Sequence, residues 1–286
     1  MNNDKDLTID QTIDLAVQNH QEGKTDIAQE LYNQVLKNNP NHTQALNNIA
    51  VIFTNLEAYQ KAREFFEKVI KIDPNYADAH NNLGSVFKAL SENQKAKDCY
   101  EKAIKINPNY ADAYYNLGII FNELGENQKA IECYEKTLTI YPTYANAYNN
   151  LGVIFKELEE FEKAKDCYEK AIAINSNYAD AHNNLGVLFQ ELGENQKAKD
   201  CIEKAIAINP NYTNAHNNLG KVFKELEEFE KAKDCFEKAI AINPNYALAH
   251  ANLKFLLDKQ RLLSEIEKEK KSKNNNKINF IKKIRK

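Results

Sequence analysis

ADAHNNLGSVFKALSENQKAKDCYEKAIKINPNY, residues 77–110, decides the architecture, because close copies of it run on both sides. The prolines make the period visible. All six, Pro40, Pro74, Pro108, Pro142, Pro210 and Pro244, fall in one 34-residue frame whose only missed beat is Ser176. All five cysteines, Cys99, Cys133, Cys167, Cys201 and Cys235, step by the same 34 residues. The eight glycines occupy two phases of that frame: Gly84, Gly118, Gly152, Gly186 and Gly220 in one, Gly23, Gly125 and Gly193 in the other. A period of this length marks an array of stacked units rather than an ordinary globule.

With proline set at position 32, units begin at Ile9, Thr43, Ala77, Ala111, Ala145, Ala179 and Thr213, and a partial eighth begins at Ala247. In the quoted unit Leu83, Gly84 and Phe87 stand at positions 7, 8 and 11, and Ala96, Tyr100 and Ala103 at 20, 24 and 27. Both sets have helical spacing, with no alternation of period two. Ser91-Glu92-Asn93 separates the two runs, and Gly125 or Gly193 opens that turn elsewhere. Proline closes the second helix because it lacks an amide and constrains the residue before it. Asn75 is expected to cap the following helix, with Asp78 near its positive end. Each unit therefore reads as helix A, turn, helix B, turn. A single hairpin cannot bury its apolar stripe alone, so neighbours must stack.

Length 34, Leu-Gly at 7–8, an aromatic at 11, Ala at 20, an aromatic at 24, Ala at 27 and Pro at 32 together resemble the tetratricopeptide repeat family over residues 9–246. The resemblance implies an all-α, right-handed superhelical solenoid of helix-turn-helix repeats that binds protein partners. Departures leave the pattern recognisable: Ala16 replaces the glycine and Asn19 the aromatic in the first unit, and Ile202 replaces a position-24 ring.

Residue chemistry argues against catalysis. Equivalent cysteines in stacked units lie at least one helix-packing distance apart, on the order of 8–10 Å, too far for a disulfide or a shared zinc. Their expected role is packing. His80, His182, His216 and His250, at position 4, lie on the apolar side with no carboxylate or thiol converging on them. No phosphate loop, nucleophile elbow or zinc-protease motif occurs. No catalytic residue, metal site, cofactor or small-molecule substrate is expected.

The opposite face of helix A carries positions 2, 6, 9 and 13. In the tetratricopeptide family this side lines the concave groove. Position 6 is asparagine in seven successive copies: Asn48, Asn82, Asn116, Asn150, Asn184, Asn218 and Asn252. Position 2 carries Asp78, Asp112 and Asp180, and position 13 carries Glu123, Glu157, Glu191 and Glu225. Position 9 is mostly Val or Ile, with Lys221 an exception. An asparagine amide offers the donors and acceptor of a peptide group, so such a row suits the backbone of an extended peptide. The row resembles the asparagine ladder of the nucleocytoplasmic O-linked N-acetylglucosaminyltransferases. Family members that grip a chaperone's C-terminal carboxylate place Lys or Arg at positions 2 and 6, where this chain has Asp and Asn. The expected partner is a protein or extended peptide, neutral to basic, in an acidic groove. At about 0.5–1.5 kcal/mol per hydrogen bond, against an association cost of about 4–15 kcal/mol, the ladder alone predicts weak, sequence-tolerant binding. The row has a second reading, in which the amides satisfy backbone groups on the adjacent helix.

The chain ends differ from the array. Residues 1–8 read as a flexible N-terminus, residues 247–271 as a partial eighth repeat with capping helices, and residues 272–286 as a basic flexible tail. From Lys268 onward nine basic side chains face Glu269 alone, +8, whereas the rest of the chain carries 29 basic and 40 acidic residues, −11. Such a tail is a solvated run, a contact for an anionic surface, or a strap across the chain's own acidic groove. The 286 residues, 43% hydrophobic and 28% charged with net charge −3, exclude a disordered chain and an overall nucleic-acid binder. The polar start MNNDKDLTID lacks a secretory pattern, so a cytoplasmic location is expected. Three roles follow: an adaptor that holds a partner, the substrate-presenting part of a transferase whose catalytic domain lies elsewhere, and a scaffold that assembles through its convex face or ends.

Overall fold

The computed structural model describes the backbone of residues 7–284 and the side chains of residues 7–271. Among the described residues the secondary structure is helical throughout. The chain divides into two compact units, the first ending at Ala147 and the second starting at Tyr148.

The first unit contains α1 (Ile9–Gln21), α2 (Thr25–Asn38), α3 (Thr43–Asn55), α4 (Tyr59–Ile72), α5 (Ala77–Ala89), α6 (Asn93–Ile106), α7 (Ala111–Glu123) and α8 (Asn127–Ile140). Helix α9 (Ala145–Glu157) spans the division. The second unit continues with α10 (Phe161–Ile174), α11 (Ala179–Glu191), α12 (Asn195–Ile208), α13 (Thr213–Glu225), α14 (Phe229–Ile242) and α15 (Ala247–Ile284). Within each unit, consecutive helices pack as antiparallel hairpins, and each helix B also packs on the next helix A. The fold is an all-α stack of helix-turn-helix repeats.

The turn inside each hairpin has one design. Position 14 closes helix A, position 15 takes a left-handed conformation, and two amides reach back to helix A. In the third repeat the Glu92 amide donates to Phe87 O at 2.8 Å and the Ser91 amide to Lys88 O at 2.9 Å. This is a Schellman closure, which favours glycine at the left-handed residue. Gly23, Gly125 and Gly193 supply it at φ 73–76°, whereas Glu57, Ser91, Glu159 and Glu227 adopt φ 57–60° with a side chain attached.

Between repeats, Asn75 does not cap helix α5. Its amide instead donates to Asp73 Oδ1 at 2.9 Å, and Tyr76 occupies the cap position with no side-chain bond. The chain is pinned from the other side, where His80 Nε2 bonds Pro74 O at 3.0 Å. His216 and His250 repeat that bond to Pro210 O and Pro244 O, both at 2.9 Å. At the missing proline the turn persists, with His182 Nε2 3.1 Å from Ser176 O and the Asn177 amide donating to Asn175 Oδ1 at 3.1 Å.

The core of four of the hairpins is a ring laid on a glycine, at Gly84, Gly118, Gly152 and Gly220. A Cβ built on Gly84 would sit 2.6 Å from Tyr100 Cε1, and one on Gly220 would sit 2.5 Å from Phe236 Cε1. Position 10, which the sequence reading left out of the apolar stripe, is fully buried at Ile52, Val86, Ile120, Ile154, Leu188, Val222 and Leu256. The cysteines pack beside these rings. Burial pushes the thiols of Cys133 and Cys235 up to about 12, so both stay protonated and unreactive at neutral pH.

The ends depart from the sequence reading. Thr8 is not part of a flexible arm: its hydroxyl accepts from the Gln11 amide, and the Gln11 side chain accepts from the Thr8 amide. This capping box fixes the start of α1. Residues 1–6 of the expected flexible N-terminus lie outside the described residues. At the other end α15 is one continuous helix of 38 residues, not a pair of capping helices. The turn signals are missing there: Gln260 and Arg261 stand at positions 14 and 15, and Ile278 stands where proline would close helix B. The backbone of the expected basic tail is accordingly helical as far as Ile284, while its side chains from Ser272 onward lie outside the described residues.

Candidate functional site: the inner face of the A helices

Helix A turns position 5 inward and position 6 toward the inner surface, one residue apart. The sequence reading took only position 6 as polar machinery. Asn47, Asn81, Asn149, Asn183 and Asn217, at position 5, are buried. They pair with the half-buried position-6 row. Asn116 Nδ2 donates to Asn81 Oδ1 at 3.0 Å in the first unit. In the second unit, Asn184 donates to Asn149 at 3.0 Å, Asn218 to Asn183 at 3.1 Å and Asn252 to Asn217 at 2.9 Å. Within a repeat, Asn183 Nδ2 returns a long bond of 3.4 Å to Asn184 Oδ1, and Asn149 does the same to Asn150. The amides thus form a relay from repeat to repeat. The relay satisfies the buried position-5 groups and fixes the direction in which each position-6 amide points.

The first unit interrupts this relay. Asn47 Oδ1 is buried without a partner, and Asn48 Nδ2 donates instead to the hydroxyl of Tyr32 at 3.1 Å. Tyr115 replaces asparagine at position 5 and stacks on Tyr144 with ring centroids 4.9 Å apart. The doubled pattern Asn-Asn at positions 5–6 was available in the sequence as the signal for the relay.

The position-2 aspartates are exposed and tied to tyrosines at position 34. Tyr144 donates to Asp112 Oδ1 at 2.9 Å, and Tyr110 and Tyr212 hydrogen-bond Asp78 and Asp180. Burial, then the neighbouring carboxylate, pushes all three hydroxyls well above the ordinary tyrosine range. These tyrosines end each repeat, so each Asp–Tyr bond ties the starts of successive A helices. The position-13 carboxylates are exposed and largely neutralised. Lys88 pairs with Glu123 at 3.1 Å, Lys156 with Glu191 at 3.0 Å and Lys224 with Glu225 at 3.5 Å. The inner face is therefore less acidic than the residue types imply.

In the second unit the row borders a cavity of about 540 Å³. Asn184, Asn218 and Asn252 line it with Asn183, Asn217, Glu157, Lys221, Tyr212, Tyr246 and Leu248. A neighbouring hollow of about 290 Å³ is lined by Val187, Glu191, Lys221 and Glu225. Tyr168 forms part of the larger cavity's lining, and its fully buried hydroxyl has no hydrogen-bond partner. The equivalent hydroxyl of Tyr100 lies 3.3 Å from Ser85 Oγ. A roomier hollow of about 840 Å³ lies against α2 alone, beside Glu30, Asn33 and Lys37, and gathers none of these residues. Among the described residues no cluster of His, Cys, Asp or Glu is arranged to hold a metal ion, and no helix is long and apolar enough to cross a membrane.

Stacked helical hairpins with a polar inner face define a repeat scaffold. Family models described as tetratricopeptide repeat match residues 21–77, 77–143, 109–177, 145–211 and 213–246. The chain belongs to the tetratricopeptide repeat family. No curated protein matches it significantly. Among solved structures it is similar to the APC/C hetero-tetramer Cut9–Hcn1 (TM-score 0.75, 20% identity, 85% of this chain and 48% of that one). It is also similar to MamA (TM-score 0.50, 32% identity, 57% of this chain and 96% of that one). A third is YrrB, described as a TPR protein with an unusual peptide-binding site (TM-score 0.52, 25% identity, 66% of this chain and 97% of that one). This chain thus spans about half the length of the Cut9–Hcn1 chain it matches.

Proposed function

We propose that this protein is an interaction scaffold that holds an extended peptide segment of a partner protein along the inner face of its A helices. The observation that carries this reading is the cavity of about 540 Å³ where Asn184, Asn218 and Asn252 meet, each contributed by a different repeat. Each of the three amides spends one hydrogen on the relay and has a second to offer a ligand carbonyl. The relay holds them aimed before a ligand arrives, which lowers the ordering cost of binding. The unpartnered Tyr168 hydroxyl on the cavity's lining adds a polar group whose burial is uncompensated. That YrrB, to which the chain is similar, is described as having a peptide-binding site supports a peptide as the ligand class.

The test is peptide display on the intact protein. Random dodecamers are selected on wild type and challenged with an Asn184→Ala/Asn218→Ala variant of unchanged helical circular dichroism. Loss of most selected peptides on the variant is expected. Peptides that bind the variant undiminished would show that the working surface lies elsewhere.

A further inference from the structure

Position 9 runs down the centre of the inner face, and in the second unit its residues change character in order: Val153, Val187, Lys221, Phe255. Three of the four are apolar. Lys221 stands between them half-buried, lines both hollows, and has no carboxylate within ion-pairing distance among the described residues. Of the carboxylates that line the two hollows with it, Glu191 is held by Lys156 and Glu225 by Lys224, and only Glu157 has no ion pair among the described residues. An ammonium set among asparagines and valines contributes little to packing that valine would not supply. Unpaired, it is a cation presented to whatever enters the cavity. One repeat further on the surface turns apolar. Leu248, lining the same cavity, and Phe255 are each 60% exposed, on positions that are polar or aliphatic in the preceding repeats.

We infer that the segment bound in the second unit carries an internal acidic side chain that pairs with Lys221 and an apolar side chain that rests on Leu248 and Phe255. This rests on the peptide-scaffold reading above and names its ligand. The spacing follows from geometry. Helices α13 and α15 approach each other directly, and helix axes in contact lie about 8–10 Å apart. An extended chain advances about 3.3 Å per residue. The acidic and apolar residues therefore lie about three positions apart. The carboxylate belongs to a side chain rather than a chain terminus, because the row continues on both sides of Lys221, to Val187 and to Phe255. A terminus there would leave the apolar end bare.

The dodecamer selection tests this when repeated on Lys221→Val, a residue already present at the same position in two neighbouring repeats. Wild type is expected to enrich Asp or Glu about three positions from Leu, Ile or Phe. Lys221→Val keeps the apolar preference and loses the acidic one. Against the best wild-type peptide its Kd rises about five- to tenfold. Asp→Asn in the peptide gives the same loss on wild type and no further loss on the variant. The difference shrinks with added salt. Identical acidic peptides and identical Kd on Lys221→Val would overturn the inference. The scaffold reading would still stand if the Asn184→Ala/Asn218→Ala protein had lost those peptides. Binding abolished by amidating the peptide C-terminus would overturn the internal side chain in favour of a terminal carboxylate. A selection that yields no peptide at all would overturn both readings.

Discussion

The two compact units share a hairpin and differ in what lies on its inner face. In the first, Tyr100 has Ser85 beside its hydroxyl, Tyr32 accepts from Asn48, Asn47 Oδ1 is orphaned, and Tyr115 interrupts the asparagines. In the second, the amide bonds repeat from Asn252 back to Asn149, valine replaces serine at position 9, and Tyr168 is left without a partner above an open cavity. Positions 3, 7, 8, 10, 11, 20, 24 and 27 determine the hairpin and hardly change between units. Positions 2 and 9 are exposed or half-buried, so they vary without disturbing the fold, whereas the asparagines at 5 and 6 recur because the relay ties them to one another. Recognition can therefore change at positions 2 and 9 at little cost to stability.

The largest expected effect tests the shared part. Tyr100→Ala and Tyr168→Ala each remove a fully buried ring lying on a glycine. Each should cost about 3–5 kcal/mol by urea unfolding. A large difference between the two would show that the units do not share one core design.

The amide relay comes next. Asn183→Ala removes an acceptor used by Asn218 and a donor to Asn184, and should cost about 1–3 kcal/mol. Asn47→Ala, which deletes an oxygen that has no partner, should cost clearly less. Equal losses would mean that the relay adds nothing to packing.

The hydroxyls give a smaller and sharper contrast. Tyr100→Phe should cost about 1 kcal/mol because it removes the bond between the hydroxyls of Tyr100 and Ser85, whereas Tyr168→Phe should be neutral or stabilising. A measurable loss at Tyr168→Phe in chemical unfolding would mean that its hydroxyl has a partner in solution. Replacing the left-handed Glu57 and Glu227 by glycine should raise stability in both units alike, by about 1 kcal/mol each.

The smallest effect is a pH dependence that both units share. Burial raises the thiols of Cys99 and Cys235, to about 11 and about 12, and the Tyr100 hydroxyl to about 12. A raised pKa means that the unfolded chain ionises first, near pH 8.5 for thiols and pH 10 for tyrosine. Their contribution is complete below those values and is lost as pH rises toward the folded ones. The melting temperature should therefore be flat from about pH 7 to 8 and fall beyond about pH 9. Calorimetry showing a rise over that range would contradict the buried assignment.

Much of this was legible in the sequence. The A helices start at Ile9, Thr43, Ala77, Ala111, Ala145, Ala179, Thr213 and Ala247, in phase with the 34-residue frame, because a stacked repeat places its breakers, rings and small residues at fixed phase. The continuous α15 was readable from the lost signals at Gln260, Arg261 and Ile278, although the expected capping pair overlooked them. The seven asparagines were legible as a row, but their partners were not. A bond such as Asn218 to Asn183 joins residues 35 positions apart, and its existence depends on how two A helices sit side by side. The same holds for the aspartates, counted as ligand contacts from their phase but tied to tyrosines at the ends of their repeats. It holds also for the glutamates, whose charge is neutralised mostly across helices by Lys88 and Lys156.

The sequence by itself determined the helices and their pairing, because those follow from local period, turn chemistry and residue size. Only the tertiary structure decided which polar groups satisfy one another and which, like Lys221 and the Tyr168 hydroxyl, are left over, because hydrogen bonds and ion pairs form between side chains that meet only when repeats stack.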